Sequence, residues 1–156
     1  MSLNQDVEIL KSIPLFAKIE PSKLKLLAFT SERLRFRSGQ SLFKQGDFGD
    51  AAYVILDGEV DVLVQAPQGL VKVAGLDRGE IVGEIAVLCD VPRTATVTAT
   101  TPLETLKISK ENFFQLIQQF PQIGLEVMNE LAARLHQTTQ QLSAAKSRLR
   151  ELEHAG

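Results

Sequence analysis

Hydrophobic positions recur with two different periods along the 156-residue chain. The first thirty residues carry them at helical spacing, in two pieces. NQDVEILKS opens on Asn4, a side chain suited to capping a helix, and stops near Pro14. PSKLKLLAF places Pro21 at a first helical position, where no amide hydrogen is needed. From about residue 32 to residue 108 the period falls to two. Leu34 and Phe36 take one side of LRFR, with Arg35 and Arg37 on the other, and Val60, Val62 and Val64 alternate with Asp61 in EVDVLV. Gly46-Asp47, Gly49-Asp50, Pro67-Gln68-Gly69 and Asp77-Arg78-Gly79 divide the strands with turn chemistry, and Asp57-Gly58 predicts a hairpin. Many short strands at this spacing predict a β-sandwich or small barrel.

The helical period returns after Ser109, an N-cap candidate with Glu111 in the first turn, and runs through ENFFQLIQQF to Pro121. Beyond Gly124 there is neither Gly nor Pro before the last residue, so one long helix is expected. Met128, Leu131, Leu135, Thr138, Leu142, Ala145, Leu149 and Leu152 follow a 3,4 spacing, the seam of a heptad repeat. With Met128 at position a, Arg148 falls at g and Glu153 at the following e, an attractive pair in a parallel two-stranded coil. Thr138 and Ala145 weaken the seam at two d positions. The first turns are expected to pack on the chain's own sheet. Beyond about residue 140 a helix rising ~1.5 Å per residue leaves a small barrel, and a parallel homodimer is the expected use of the stripe.

Composition narrows the function. The chain is 44% hydrophobic and 23% charged, with a net charge of −2, which gives no electrostatic case for binding nucleic acid. No apolar run approaches the ~20 residues of a membrane span, and MSLNQDVEIL lacks a signal-peptide pattern. One cysteine, Cys89, cannot form an internal disulfide and suits a cytoplasmic protein. Its neighbours Val87 and Leu88 predict a buried, unreactive thiol.

The chemistry concentrates in GEIAVLCDVPRTATV, residues 83 to 97. In TATVTA the apolar Ala95, Val97 and Ala99 share one parity and the threonines share the other, and Arg93 has the apolar parity. A guanidinium on the core side of a sheet needs a partner, and an oxyanion such as phosphate accepts its fork of donors in two parallel bonds. A helical turn beginning at Gly83 would present free backbone N–H groups to the same anion. Glu84 repels a phosphate but accepts hydrogen bonds from hydroxyls beside one, as on a ribose. The alternative is that Glu84 and Arg93 pair with each other as a buried bridge.

These residues resemble the phosphate-binding cassette of the cyclic nucleotide-binding domain family: Gly-Glu-aliphatic-Ala, a short variable stretch, then Pro-Arg-(Ala/Ser/Thr)-Ala. IPLFAKIEPSKLKLL resembles the family's helical lead, and FKQGDFGDAAYVILDGEVDV its glycine-punctuated strands. The resemblance implies a mainly β fold with flanking helices: an eight-stranded β jelly-roll barrel, N-terminal helices and a long C-terminal helix. It divides a single domain into a helical lead at 1–30, a jelly roll at 31–109 with the cassette at 82–95, and C-terminal helices with a dimerisation coil at 110–156. It implies that Arg93 binds the exocyclic oxygens of a cyclic phosphate and Glu84 the ribose 2′-hydroxyl. The backbone of Gly83, Glu84, Ile85 and Ala86 completes the cradle. Thr94 adds a hydroxyl contact to phosphate or base, and Ala95 closes the motif. Val82 departs from the phenylalanine that many members carry there, a change of packing more than of chemistry.

FFQLIQQFPQIGLEVMNELAARLHQTTQQL further resembles the bacterial catabolite-activator branch of that family. By that resemblance Thr138 contacts the purine in its own subunit, Thr139 the purine of the partner, and Arg134 sits near the ribose and Glu84. The Arg134, Thr138 and Thr139 pattern favours cyclic AMP. Thr94 resembles the position that favours guanine in cyclic-GMP-dependent kinases, which keeps cyclic GMP as the second ligand. Base discrimination by a few hydrogen bonds, each worth about 1 kcal/mol, leaves room for both.

The expected function is therefore a bacterial, cytoplasmic sensor without enzymatic activity, cofactor or metal. Ligand closes the C-terminal helix and a protein effector reads the change. Two alternatives are a truncated transcription regulator, since SRLRELEHAG leaves no room for a helix-turn-helix, and a dimerisation scaffold with a vestigial pocket. His136 and His154 both fall in the terminal helix, away from any metal-ligating cluster, and no Ser-His-Asp or Cys-His arrangement appears.

Overall fold

The computed structural model describes residues 3–13 and 16–154, including all of their side chains except those of residues 126, 127, 130, 131, 134, 135, 138 and 154. Two helices lead, α1 (Leu3–Ser12) and α2 (Pro21–Thr30). Asn4 lies inside α1 rather than capping it, because the helix already begins at Leu3. Pro21 is the first residue of α2, whose buried face is Leu24, Leu27 and Ala28. Ser31 turns extended, and its hydroxyl donates to Leu27 O at 2.6 Å, occupying a carbonyl at the helix end.

Eight strands follow: β1 (Glu32–Phe36), β2 (Ser41–Phe43), β3 (Ala51–Asp57), β4 (Val60–Ala66), β5 (Gly69–Leu76), β6 (Ile81–Val82), β7 (Thr96–Ala99) and β8 (Leu103–Ser109). A short helix, α3 (Glu84–Cys89), separates β6 from β7. The strands form two antiparallel four-stranded sheets, ordered β1-β8-β3-β6 and β2-β7-β4-β5. Among the described residues no ladder joins the two sheets into one closed barrel. Tyr53, Ile55, Val60, Val82, Val97, Ala99 and Leu103, drawn from both sheets, form a core cluster between them.

The alternation read from the sequence disappears where both faces of a strand are covered. Residues Ala51 to Leu56 of β3 are all buried, since β3 is an inner strand with α1, α3 and α4 (Lys110–Gln119) packed against it. β5 is the opposite case, an edge strand exposed from Leu70 to Gly75.

Asp57-Gly58 does not make the expected hairpin. β3 and β4 belong to different sheets, so this turn is a corner between them. Gly58 takes a φ of +100°, and a Cβ there would lie 2.4 Å from Pro102 O, so the dipeptide serves a tight change of sheet. The two-residue hairpin is instead Pro67-Gln68, with Ala66 paired to Gly69.

Arg33 on β1 is ion-paired with both Asp6 of α1 and Glu104 of β8, fastening the leading helix to the first sheet. At the far end, Ser109 Oγ accepts the amide hydrogen of Asn112 at 3.2 Å and starts α4, as its N-cap position predicts.

The chain divides into two compact units, Met1–Gln119 and Phe120–Gly156. The second is built on α5 (Pro121–His154), 34 residues long, about 50 Å at the usual helical rise. Met128, Leu142, Ala145, Leu149 and Leu152 of the predicted seam are exposed on it. The side chains of Leu131, Leu135 and Thr138 lie outside the described set. No helix of the described residues is long and apolar enough to cross a membrane.

Candidate functional site

Arg93 lies on the connection between α3 and β7, and its backbone fixes its place. Its N–H donates to Asp47 O and its carbonyl accepts from Gly46 N–H, both at 2.8 Å, tying it to the loop after β2. The side chain points inward, as its parity predicts, and the residue is 3% exposed.

The guanidinium makes two hydrogen bonds, both to neutral acceptors. Nη1 donates to Gly83 O at 2.8 Å and Nη2 to Ala51 O at 2.6 Å. Nε is buried and has no hydrogen-bond partner among the described residues. No ion pair joins Arg93 to Glu84 or to any other carboxylate among the described residues, which removes the simple buried bridge. Burial lowers the pKa of the guanidinium from its ordinary value, against the opposing pull of Tyr53, Asp50, Asp47 and Glu84. A buried cation with a spare donor and two carbonyl partners has the chemistry to accept an anion.

The short helix beside it supplies a second set of donors. Gly83 caps α3 with a φ of +86° and, having no side chain, makes no capping hydrogen bond to the amides of this first turn. A Cβ at Gly83 would lie 2.5 Å from Arg93 Nη1, so glycine serves both the left-handed turn and the close passage of the guanidinium. Gly49 is equally constrained: a Cβ there would meet the Ala86 methyl carbon at 2.5 Å. Glu84 is 4% exposed, Ala86 and Val87 are buried, and Ile85 is half-buried.

Gly83, Glu84, Ile85, Ala86 and Arg93 thus come together around one turn. Thr94 is exposed and Ala95 buried at the entrance to β7. Thr96 is buried against the parity of the other threonines, because its hydroxyl accepts the Gln45 N–H at 2.9 Å. Thr139 is exposed on α5, and the side chains of Arg134 and Thr138 lie outside the described residues. Cys89 is exposed, contrary to the sequence expectation. It ends α3 just before Asp90, whose φ of 52° turns the chain away, while Ala86 and Val87 take the inner face.

Sequence reasoning missed Phe43. Its ring lies 4.0 Å from the Arg93 guanidinium carbon. In the sequence it stands in the quoted stretch FKQGDFGD without any local sign of a partner fifty residues away. Among the described residues no group of three or more His, Cys, Asp or Glu side chains is arranged to hold a metal.

Residues 33–120 match the model of the family described as "Cyclic nucleotide-binding domain". The chain belongs to this family. Its Val82, where many members have phenylalanine, is buried in the core cluster. Among curated proteins, this cyclic nucleotide-binding domain is 37% identical over 110 residues to a cAMP-dependent protein kinase regulatory subunit of Eremothecium gossypii, covering 70% of this chain and 23% of that protein. It is 28% identical over 139 residues to a CRP-like cAMP-activated global transcriptional regulator of Mycobacterium tuberculosis, covering 87% of this chain and 61% of that one. Among solved structures, the catabolite activator protein of Thermus thermophilus superposes with a TM-score of 0.78 at 28% identity, covering 85% of this chain and 63% of that chain. The domain spans about a quarter of the length of the fungal kinase regulatory subunits it matches.

Proposed function

We propose that this domain is a cyclic nucleotide sensor that favours cyclic AMP and uses its C-terminal helix to carry the signal. The observation that carries the reading is the buried Arg93, bonded only to carbonyls and holding an unused Nε–H. A cyclic phosphate diester supplies the missing negative charge and the acceptors. Glu84 takes the ribose 2′-hydroxyl, the amides from Gly83 to Ala86 surround the phosphate, and Thr94 and Ala95 border it. The pair of sheets is the jelly roll of the family. Arg134, Thr138 and Thr139 read the base from α5, and a second copy of the chain pairs along the exposed seam to form a parallel dimer. The domain acts by binding rather than catalysis and passes its state to a protein effector. Support for the cyclic AMP preference comes from the relatives: one is called a cAMP-dependent kinase subunit and another a cAMP-activated regulator.

A thermal-denaturation panel tests the class of ligand. Cyclic AMP at one hundred times its dissociation constant should add about 2.7 kcal/mol of stability and raise the melting temperature. Cyclic GMP should do so less, and adenosine, which lacks the phosphate, should have almost no effect. Equal shifts with adenosine and cyclic AMP would remove the phosphate from the reading, and no shift with any of them would remove the nucleotide.

A further inference from the structure

We propose that Phe43 is a positioning residue of the anion site, a ring that holds the Arg93 guanidinium in place for the ligand. This rests on the cyclic nucleotide reading for its ligand, but its geometry lies within the protein's own side chains. Arg93 has lost its water, and its two hydrogen bonds go to uncharged carbonyls. Two such bonds do not replace the hydration of a cation. Asp47, Asp50 and Glu84 favour the charge electrostatically, and the face of the guanidinium rests on the Phe43 ring, whose centroid is 4.0 Å from the guanidinium carbon, well within cation–π range.

The ring is itself held. Phe43 lies 5.9 Å from Tyr53 at an interplanar angle of 37°, and Tyr53 lies 6.4 Å from Phe36 in an edge-to-face arrangement at 72°. These three side chains come from β2, β3 and β1, so the column joins the two sheets. A guanidinium resting on it is referenced to both sheets rather than to one loop alone. The contact with Gly83 closes the arrangement, since a Cβ there would meet both Arg93 Nη1 at 2.5 Å and a Phe43 ring carbon at 3.1 Å. An aliphatic residue at position 43 would fill the space between the sheets but would leave the face of the cation without its partner.

The test compares wild type, Phe43→Leu and Phe43→Tyr by titration calorimetry with cyclic AMP and by NMR of the Arg93 Nε–H in ligand-free protein. Phe43→Leu should weaken binding about tenfold, the scale of one desolvated cation–π contact, and Phe43→Tyr should restore it. In the ligand-free spectra the Nε–H resonance should show an aromatic ring-current shift in wild type and Phe43→Tyr, and lose it in Phe43→Leu. Phe43→Met takes the place of Phe43→Leu if that variant does not fold. Equal affinities in wild type and Phe43→Leu would overturn the proposal, as would a loss that Phe43→Tyr fails to rescue. If wild type binds no cyclic nucleotide, the reading of the ligand falls. The ligand-free resonance then decides alone: a shift that disappears in Phe43→Leu sustains the platform, and an unshifted resonance overturns it.

Discussion

Tyr53 is the only tyrosine in the chain, and tryptophan is absent, so its phenol titrates without interference. Burial raises its pKa above the ordinary 10.0, while Lys107 and Arg93 pull it back down. Removing Arg93 should therefore raise it further, which alkaline titration of phenolate absorbance in Arg93→Ala checks against wild type. The sign for stability follows. The folded state holds the phenolic proton more tightly than the unfolded chain does, so this contribution is complete below pH 10.0 and is lost as pH rises through the folded value. Denaturation midpoints should fall at strongly alkaline pH, and a midpoint that rises there would contradict the assignment. At this scale most of the cassette was legible in the sequence. Gly83, Glu84, Ala86 and Arg93 sit within eleven residues, and period-two parity alone turned Arg93 inward. Phe43 was not legible, because the strand pairing that brings it to the segment of Arg93 joins residues more than fifty positions apart. Cys89 was misjudged because apolar neighbours in sequence do not fix a side chain's direction at the last residue of a six-residue helix.

Among the elements, α3 depends on how closely the loop after β2 approaches it. Gly49→Ala would bring a methyl group to within 2.5 Å of Ala86 Cβ unless something shifts. Such overpacking should cost about 1–3 kcal/mol, seen as a lower denaturation midpoint, and should weaken cyclic AMP binding because α3 carries the amides. A second element-scale prediction concerns Arg33. Its loss in Arg33→Met would leave Asp6 and Glu104, two carboxylates nearly out of solvent, without their shared cation. The cost should be roughly 3 kcal/mol, read from urea denaturation, with cyclic AMP affinity in the folded protein unchanged. The strands themselves were readable from alternation and turns, but their assignment to sheets was not. Asp57-Gly58 has the composition of a hairpin turn and serves as a corner, since composition specifies the local backbone angles and not which strand lies across the turn. The continuous burial of β3 likewise comes from the helices that cover it, which lie far away in sequence.

For the whole molecule the open stripe on α5 carries the dimer proposal. Met128, Leu142, Leu149 and Leu152 are each more than half exposed in the single chain, and apolar side chains at heptad spacing reach water only at a cost that a second helix removes. Sedimentation equilibrium should show a dimer, and Leu142→Ser with Leu149→Ser should shift it toward monomer. Ala145→Leu, which strengthens a weak d position, should tighten it. A wild-type monomer both with and without nucleotide would contradict the coil. The central claim, however, is that Arg93 holds a cyclic phosphate, and titration calorimetry tests it most directly. Wild-type protein, unfolded and refolded to release any carried ligand, is titrated with cyclic AMP and then cyclic GMP, alongside folded Arg93→Ala. The account predicts saturable binding with cyclic AMP the tighter of the two, lost in Arg93→Ala. Wild-type binding unchanged by that substitution, or no heat with either nucleotide, would contradict it.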